Sequence, residues 1–349
     1  MSAAALLHEY LPHGDLAARP NAWWQGVLGI IGFATPPRLD RDDVPIGACG
    51  TPGIGVAATL CEVWRSADAP PCARSQDPAT QGPVTHKSSA GVTFGAVAIE
   101  EGALRRCGGS ESAALREATE IAYRAMFETL DACGHPHLVR VWHYLPQINR
   151  QVDGDERYRH FNSARRAAFA RSGRARADCA PAATAVGSIA GSPLTIHFLA
   201  ALKPPIMIEN PRQVSAYRYP SRYGRDSPLF SRACLLRDAP GTNLFISGTA
   251  SIVGHESIHR GDAAAQTRES LANIAVLLEE ADRHAACGRH RFADLRLKVY
   301  LRRPADFEAV RREIELHALR AESIVYLQAD ICRDDLLVEI EANGCASIR

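Results

Sequence analysis

Leu244-Phe245-Ile246-Ser247-Gly248-Thr249-Ala250-Ser251-Ile252-Val253-Gly254-His255 and Leu336-Leu337-Val338-Glu339-Ile340-Glu341-Ala342 are the two stretches on which the reading of this chain turns. The first is an apolar strand that runs out into small residues and glycine, a composition that lets a ligand approach the backbone. The second sets carboxylates inside a Leu/Val/Ile strand. Such a carboxyl is a candidate for a raised pKa, and so for acid chemistry at neutral pH. On a strand, Glu339 and Glu341 point to one face, about 7 Å apart. A solvated sheet face would also carry two such residues; the apolar run Leu336-Leu337-Val338 argues for desolvation. Together the stretches predict a small-molecule site that works by proton transfer.

Outward from these stretches, a recurring order of elements can be read. Periodicity predicts strands at 91–100, 138–148, 183–189 and 194–201, with helices over 110–133 and 155–170. The same order returns as strands at 230–236, 243–251, 295–301, 324–331 and 336–342, with helices over 262–286 and 305–318. The stripes Ala114, Leu115, Ala118, Ile121, Ala122, Met126, Leu130 and Leu271, Ile274, Ala275, Leu278, Ala281 have helical spacing. Two ββαβαββ copies are inferred from element order rather than residue identity. Each would be a mixed sheet with helices on one face, an α+β fold. The first 65 residues are shorter and could be a third, reduced copy. Residues 66–90 are rich in Pro, Ser, Ala and Gln and mark the best boundary; 210–228 is a second turn-rich stretch. The expected division is 1–85, 86–215 and 216–349.

At 349 residues, with 40 basic and 39 acidic side chains, the near-neutral balance argues against a nucleic-acid stripe or a binder of acidic polymers. No run of 18 apolar residues suggests a membrane span. MSAAALLHEYLPHGD has no basic leader and does not read as a signal peptide. The ten cysteines stand singly, without CxxC pairs, which fits reduced thiols in the cytoplasm.

Short motifs add little. His255-Glu256-Ser257-Ile258-His259 matches H-E-x-x-H, but that chemistry needs both imidazoles one turn apart on a helix, and here a loop is expected. His135-Pro136-His137 reads as a turn. Gly187-Ser188-Ile189-Ala190-Gly191-Ser192 lacks the lysine of a phosphate loop and reads as a hairpin between two strands. Arg333-Asp334-Asp335 forms a turn; if its flanking strands pair as a hairpin, Cys332 comes near Glu339. Donors cluster twice. Tyr158 and Arg165 are seven residues apart and share a helix face. Tyr217, Tyr219, Arg222, Tyr223, Arg225 and Arg232 gather around a Pro/Gly turn. Arginine forks and tyrosine hydroxyls suit a small dianion.

The C-terminal unit resembles the reactive-intermediate deaminase-like (Rid/YjgF-like, chorismate mutase-like) fold. The blocks RVWHYLPQIN (140–149), DERYRHFNSARRAAF (155–169), YPSRYGRDSPLFSRA (219–233), LFISGTASIVGHESIHRGD (244–262) and YLQADICRDDLLVEIEA (326–342) resemble the chorismatases. They span about residues 86–343. The resemblance implies repeated Rid-like domains in a pseudo-threefold arrangement. It implies a cleft between the central and C-terminal domains, action without metal or cofactor, and chorismate as substrate, with pyruvate released. Glu339 matches the position of the acid that protonates the enol ether methylene. Tyr158, Arg165, Tyr219 and Arg232 match the carboxylate-binding pattern. Gly248 and Cys332 resemble the branch that forms 3-hydroxybenzoate, with a mixture containing 4-hydroxybenzoate left open. Three repeats in one chain are compatible with a monomer. One departure concerns the deaminases, whose carboxylate-binding arginine is replaced here by Ala321-Glu322-Ser323. The alternatives are a Rid-like imine or enamine deaminase and a non-catalytic module that binds aromatic acids.

Overall fold

The computed structural model describes residues 6–55, 59–66, 83–105, 109–175, 180–238, 241–284, 288–317 and 320–347. The interior of the expected linker, 67–82, lies outside them, as do Cys72, Cys107, Cys179 and Cys287. The chain forms three mixed sheets. The first is built from β1 (Leu6–Pro12), the short helices α1 (His13–Leu16) and α2 (Asn21–Gln25), β2 (Val27–Gly32), β3 (Ile46–Ala48) and β4 (Leu60–Ser66). The second contains β5 (Val84–Ser88), β6 (Val92–Ile99), α3 (Glu101–Arg105), α4 (Glu111–Cys133) and β7 (His137–Pro146). A small ribbon of β8 (Gln151–Val152) and β9 (Asp155–Glu156) follows, then α5 (Arg157–Arg171), β10 (Ala182–Ser188) and β11 (Leu194–Ala201). The third contains β12 (Ile206–Ile208), β13 (Ala233–Asp238) and β14 (Gly241–Ala250), with a ribbon of β15 (Ile252–Val253) and β16 (Glu256–Ser257). It continues through α6 (Ala263–His284), β17 (Leu295–Leu301), α7 (Phe307–Glu315), β18 (Ile324–Gln328) and β19 (Val338–Ser347).

One pairing scheme recurs in all three sheets. The last strand of each lies between two antiparallel neighbours: β4 between β1 and β2, β11 between β6 and β7, β19 between β14 and β17. Each sheet also carries one parallel pair: β2 with β3, β7 with β10, β17 with β18. A parallel pair needs a crossover connection, usually a helix. In the second and third sheets α5 and α7 lie in that crossover, while β2 and β3 are joined without one. The first sheet is therefore a reduced version of the other two. β12 precedes residue 215 in the chain but pairs with β13 in the third sheet.

This scheme corrects two expectations. β10 and β11 are not hairpin partners, because β7 lies between them; nor are β18 and β19, because β17 lies between them. Each parallel crossover places its strand on the outer side of the middle strand, so the chain must recross that strand to enter the centre of the sheet.

The long helices form where periodicity and caps agree. Ser110 Oγ accepts from the Ala113 N–H (3.3 Å) at the start of α4, and Gly134 ends it at φ +68°. The apolar stripes of α4 and α6 pack on one face of the second and third sheets. The opposite faces of all three sheets meet in a common core, where Trp64 of β4 lies 5.6 Å from Trp142 of β7 and 6.0 Å from Phe245 of β14, measured between rings. Among the described residues, no helix is long and apolar enough to cross a membrane.

That core contains charge. Lys298 of β17 is fully buried, with Nζ 2.5 Å from Glu62 of β4 and 3.0 Å from Glu341 of β19. Arg140 of β7 donates to Glu341 (2.8 Å), and the Trp142 indole N–H donates to the same carboxylate (2.7 Å). The Trp64 indole donates to Glu62 (3.0 Å), and the His8 imidazole lies 3.0 Å from it. Burial pushes both carboxyls up. The partners together outweigh it, Lys298 with His8 at Glu62 and Lys298 with Arg140 at Glu341, so both are held below the ordinary value of 4.5. Their contribution to stability is present above that value and is lost as pH falls through their depressed values. Removing one partner of a buried ion pair typically costs about 3–5 kcal/mol. Lys298→Ala is expected to lose stability on that scale, read as a lower urea midpoint at pH 7. A variant unfolding at the wild-type midpoint would show that the network does not hold the sheets together.

Candidate active site

The site lies where the second and third sheets meet. Backbone joins them first: Ser231 bridges Ala182, and the Ala183 N–H donates to Ser247 Oγ (2.8 Å). β14 then departs from regular pairing. Ile246 faces Ala342 and Thr249 faces Ile340, so β14 carries one extra residue, a β-bulge at Ser247-Gly248. The bulge turns the Gly248 N–H away from the ladder and onto Thr184 Oγ1 (3.0 Å). It also leaves space over Gly248, and Glu339 fills that space. A Cβ added at Gly248 would lie 2.0 Å from Glu339 Oε1.

Glu339 and Glu341 share one face of β19, as the alternation predicts, but that face is buried: they are 3% and 0% exposed. Their environments separate them. Glu341 takes Arg140, Trp142 and Lys298, whereas Glu339 makes no hydrogen bond among the described residues and opens onto a cavity. Burial raises the Glu339 pKa, the Glu341 charge raises it further, and Arg140 offsets part of this; the value is pushed up to about 8. Two carboxyls two residues apart thus hold opposite protonation states at neutral pH, the pattern of a paired acid and structural anion.

Cys332 reaches the same cavity from the loop between β18 and β19 rather than across a hairpin. Burial, then the nearby Glu339, pushes its thiol up to about 12, so it is a neutral S–H and not a thiolate nucleophile. Tyr158 and Arg165 enter from α5, and Tyr158 is kept protonated by burial. Arg165 is 2% exposed; its Nη2 donates to the Leu229 carbonyl (2.7 Å), and its guanidinium stacks near Tyr123 and Phe169. Arg232 Nη2 donates to Tyr219 Oη (2.7 Å) and to the Val214 carbonyl (2.7 Å). All seven sequence-predicted positions therefore converge: Glu339, Cys332, Gly248, Tyr158, Tyr219 and Arg232 line a cavity of about 440 Å³, within the range of small-ligand sites. A small inner recess adds Arg165 and Thr184 and shares Glu339, Gly248, Cys332 and Tyr158 with the main cavity. Glu339 thus stands at the junction of an inner end marked by Arg165 and an outer end marked by Arg232.

Neither arginine has a carboxylate within 4 Å among the described residues; the rest of the lining sets Arg159, Arg222, Arg260 and Arg333 against Glu156, Glu256, Asp334 and Asp335, so with Glu339 protonated Arg165 and Arg232 leave the cleft positive. Such a cleft fits a small dianion. The sequence reading had given no site role to Thr184, Arg140, Lys298, Glu62 or Arg333. A single cation inside an apolar strand was the available signal for Arg140 and Lys298, as a single carboxylate was for Glu62. Thr184, among alanines, offered none.

The H-E-x-x-H stretch forms the β15–β16 ribbon and its exit, not a helix, and His259 sits at φ +58°. His255 Nδ1 accepts from Arg222 (2.9 Å). His135 contacts Thr93 Oγ1 through Nδ1 (2.6 Å) at the end of α4.

Residues 62–200 match the family model described as chorismatase FkbO/Hyg5-like, N-terminal. A 3-hydroxybenzoate synthase of Streptomyces hygroscopicus is 36% identical, over 96% of each chain. A chorismatase of Streptomyces rapamycinicus is 42% identical, over 64% of this chain and 68% of the relative. Among solved structures, a chorismatase crystal structure that is 31% identical covers 99% of both chains with a TM-score of 0.84.

The space over Gly248 generates a test. Gly248→Ala must displace the Glu339 carboxyl, and misplacement of a reacting group by about 1 Å can cost about 100-fold in rate. Turnover should fall at least about tenfold while the melting temperature holds. Unchanged turnover would mean that Glu339 does not need its observed position.

Proposed function

The chain belongs to the chorismatase family, and we propose that its cleft releases pyruvate from chorismate to give 3-hydroxybenzoate, with Glu339 as the acid. The observation that carries this reading is the state of Glu339. It is a buried carboxyl without a hydrogen bond to the described residues, its pKa is raised to about 8, and it faces a cleft in which Arg165 and Arg232 have no carboxylate within 4 Å among the described residues.

The chemistry follows from the substrate. Chorismate carries two carboxylates and an enolpyruvyl ether. Glu339 delivers its proton to the ether's methylene carbon, which leaves an oxocarbenium ion. The ring–oxygen bond then breaks, its electron pair going to the oxygen that becomes the pyruvate carbonyl. The neighbouring ring hydroxyl closes on the ring carbon left behind and gives up its proton, which makes an epoxide. The oxygen's original carbon–oxygen bond then breaks, the oxygen takes a proton back on its new carbon, and loss of the ring proton from that carbon restores aromaticity. Chorismate contains the same atoms as 3-hydroxybenzoate plus pyruvate, so no water is consumed and the proton count returns to its start. Arg165 with Tyr158, and Arg232 with Tyr219, take the two carboxylates. Gly248 leaves room for the acid, and the neutral Cys332 thiol keeps water from the cation. Both walls of the cleft come from one chain, which supports a monomer. The six described cysteines are free thiols, which supports a reducing compartment such as the cytoplasm. The division 1–85, 86–215 and 216–349 belongs to the same proposal.

Incubation with chorismate, with pyruvate and aromatic acids quantified by chromatography, is the direct test. Equal amounts of pyruvate and 3-hydroxybenzoate are expected, and any 4-hydroxybenzoate measures a second outcome. No pyruvate above the spontaneous rate would overturn the reading. Glu339→Gln should cut turnover by about 10²–10⁴-fold. In the wild type, the acid form prevails below about pH 8, so the rate should fall as pH rises through that value. A profile flat to pH 10 would remove Glu339 as the acid. Stability carries the same sign. A carboxyl whose folded pKa is raised loses its stabilising contribution as pH rises from the unfolded value through about 8. Glu339→Gln should therefore melt at least as high as the wild type at pH 9. Cys332→Ala opens room for water and should shift products toward a dihydrodiol, the product when water rather than the ring hydroxyl takes the cation, as in the hydrolytic branch of the family; an unchanged ratio would exclude the thiol from that role.

A further inference from the structure

The loop that carries Cys332 is built around one guanidinium. Arg302, just beyond β17, donates Nε to the Leu336 carbonyl (2.8 Å) and Nη2 to the carbonyls of Ile331 (3.0 Å) and Arg333 (2.8 Å). Its Nη1 donates to Asp330 Oδ1 (2.7 Å) and to Asn149 Oδ1 (3.1 Å), the latter from the opposite wall of the seam. A backbone held at three carbonyls and at both ends is preorganised, and it presents Arg333 to the outer end of the cavity.

The Arg333 head group is itself fixed. Nη1 donates to the His255 carbonyl (2.9 Å) and to Ser257 Oγ (3.1 Å). The guanidinium carbon lies 4.0 Å from the Tyr223 ring centre and 5.2 Å from that of Tyr219. Arg232 lies 5.5 Å from the same Tyr219 ring. Four acidic groups besides Glu339 line the cavity: Glu256 pairs with Arg222 (2.7 Å) and Asp335 with Arg260 (3.2 Å), while Glu156 and Asp334 have no cation, Arg333 included, within 4 Å among the described residues. Among the described residues, Arg333 has no carboxylate within 4 Å. A guanidinium clamped in place, stacked on aromatic faces and left without a counter-charge is an anion receptor by construction.

We infer that Arg333 is the receptor for one carboxylate of the substrate, acting with Arg232 across the ring of Tyr219, while Arg165 serves the inner end. This rests on the chorismate reading above and adds to it a residue that determines which end of the dianion lies outermost.

Three stable aromatic probes separate the carboxylates: 3-(carboxymethoxy)benzoate carries both, 3-methoxybenzoate only the ring carboxylate, and phenoxyacetate only the side-chain one. Inhibition constants are measured for wild type and Arg333→Gln. Loss of a charge-assisted hydrogen bond corresponds to about tenfold or more in affinity. The variant should weaken the dicarboxylate and one monocarboxylate by about that factor and leave the other within about twofold. Equal weakening of all three, the mark of a collapsed mouth, would overturn the inference, as would no weakening at all. If Arg333→Gln does not fold, Arg333→Lys, which keeps the charge and loses the fork, should show the same selective pattern at about threefold. Failure of the wild type to release pyruvate would sink the chorismate reading itself. Normal turnover with an unselective Arg333 variant would sink only this assignment.

Discussion

The buried ammonium of Lys298, held between Glu62 of the first sheet and Glu341 of the third, is the constraint on which the rest of this structure depends. It sits where three sheets turn their inner faces toward one another, among Trp64, Trp142 and Phe245. Two carboxylates there would repel without it, and a lone ammonium would have no place in an apolar core. Arg140 extends the network into the second sheet, so one connected set of charges spans all three. Burial of charge adds less to stability than its Coulomb energy suggests, and its better-attested role is specificity. Here it sets which strand faces which.

The same network acts on Glu339, the proposed acid. Because Lys298 and Arg140 keep Glu341 ionised, a fixed negative charge stands two residues from Glu339. Glu339 is buried without a cation in contact, and burial first, then the Glu341 charge, makes it hold its proton. Nothing equivalent exists at the matching place in the second sheet. There Thr195 pairs with Tyr144 as Glu339 pairs with Tyr300, and His197 follows where Glu341 would stand. His197 is buried, with its pKa pushed down to about 4 by burial. Among the described residues, the second sheet thus shares the pairing scheme of the third without a carboxyl at either of these two positions. The difference lies in two side chains of the third sheet's central strand and in the bulge at Ser247-Gly248.

Much of this was legible in the residues. The stripes of α4 and α6 face the core as their spacing predicts, with Ile121 and Ala275 at the half-buried margins. β11 and β17 run over the expected 194–201 and 295–301. The seven site positions were reached through the blocks that resemble the chorismatases, and they converge on one cleft. One element was missed: Val84–Ser88, inside the expected linker 66–90, form β5 and pair with β6. The other errors were of one kind. Strands adjacent in sequence were expected to pair, but β7 and β17 lie between them. Periodicity reports which face of a strand is buried; it carries no record of which strand lies beside it.

The amino-acid sequence by itself determined the elements, the two-carboxylate strand and the arginine- and tyrosine-rich turn, because these follow from local periodicity and side-chain chemistry. Only the tertiary structure decided that Glu339 keeps its proton while Glu341 loses it. Both stand in the same strand with the same alternation. What separates them is direct contact: Lys298 and Arg140 bond to Glu341, whereas Glu339 bonds to neither and feels Arg140 only as a weaker, more distant charge. The same holds for Arg302 and Arg333, whose partners are reached across loops and sheets. Long-range electrostatics depends on distances between residues far apart in the chain, and those distances exist only once the sheets have met.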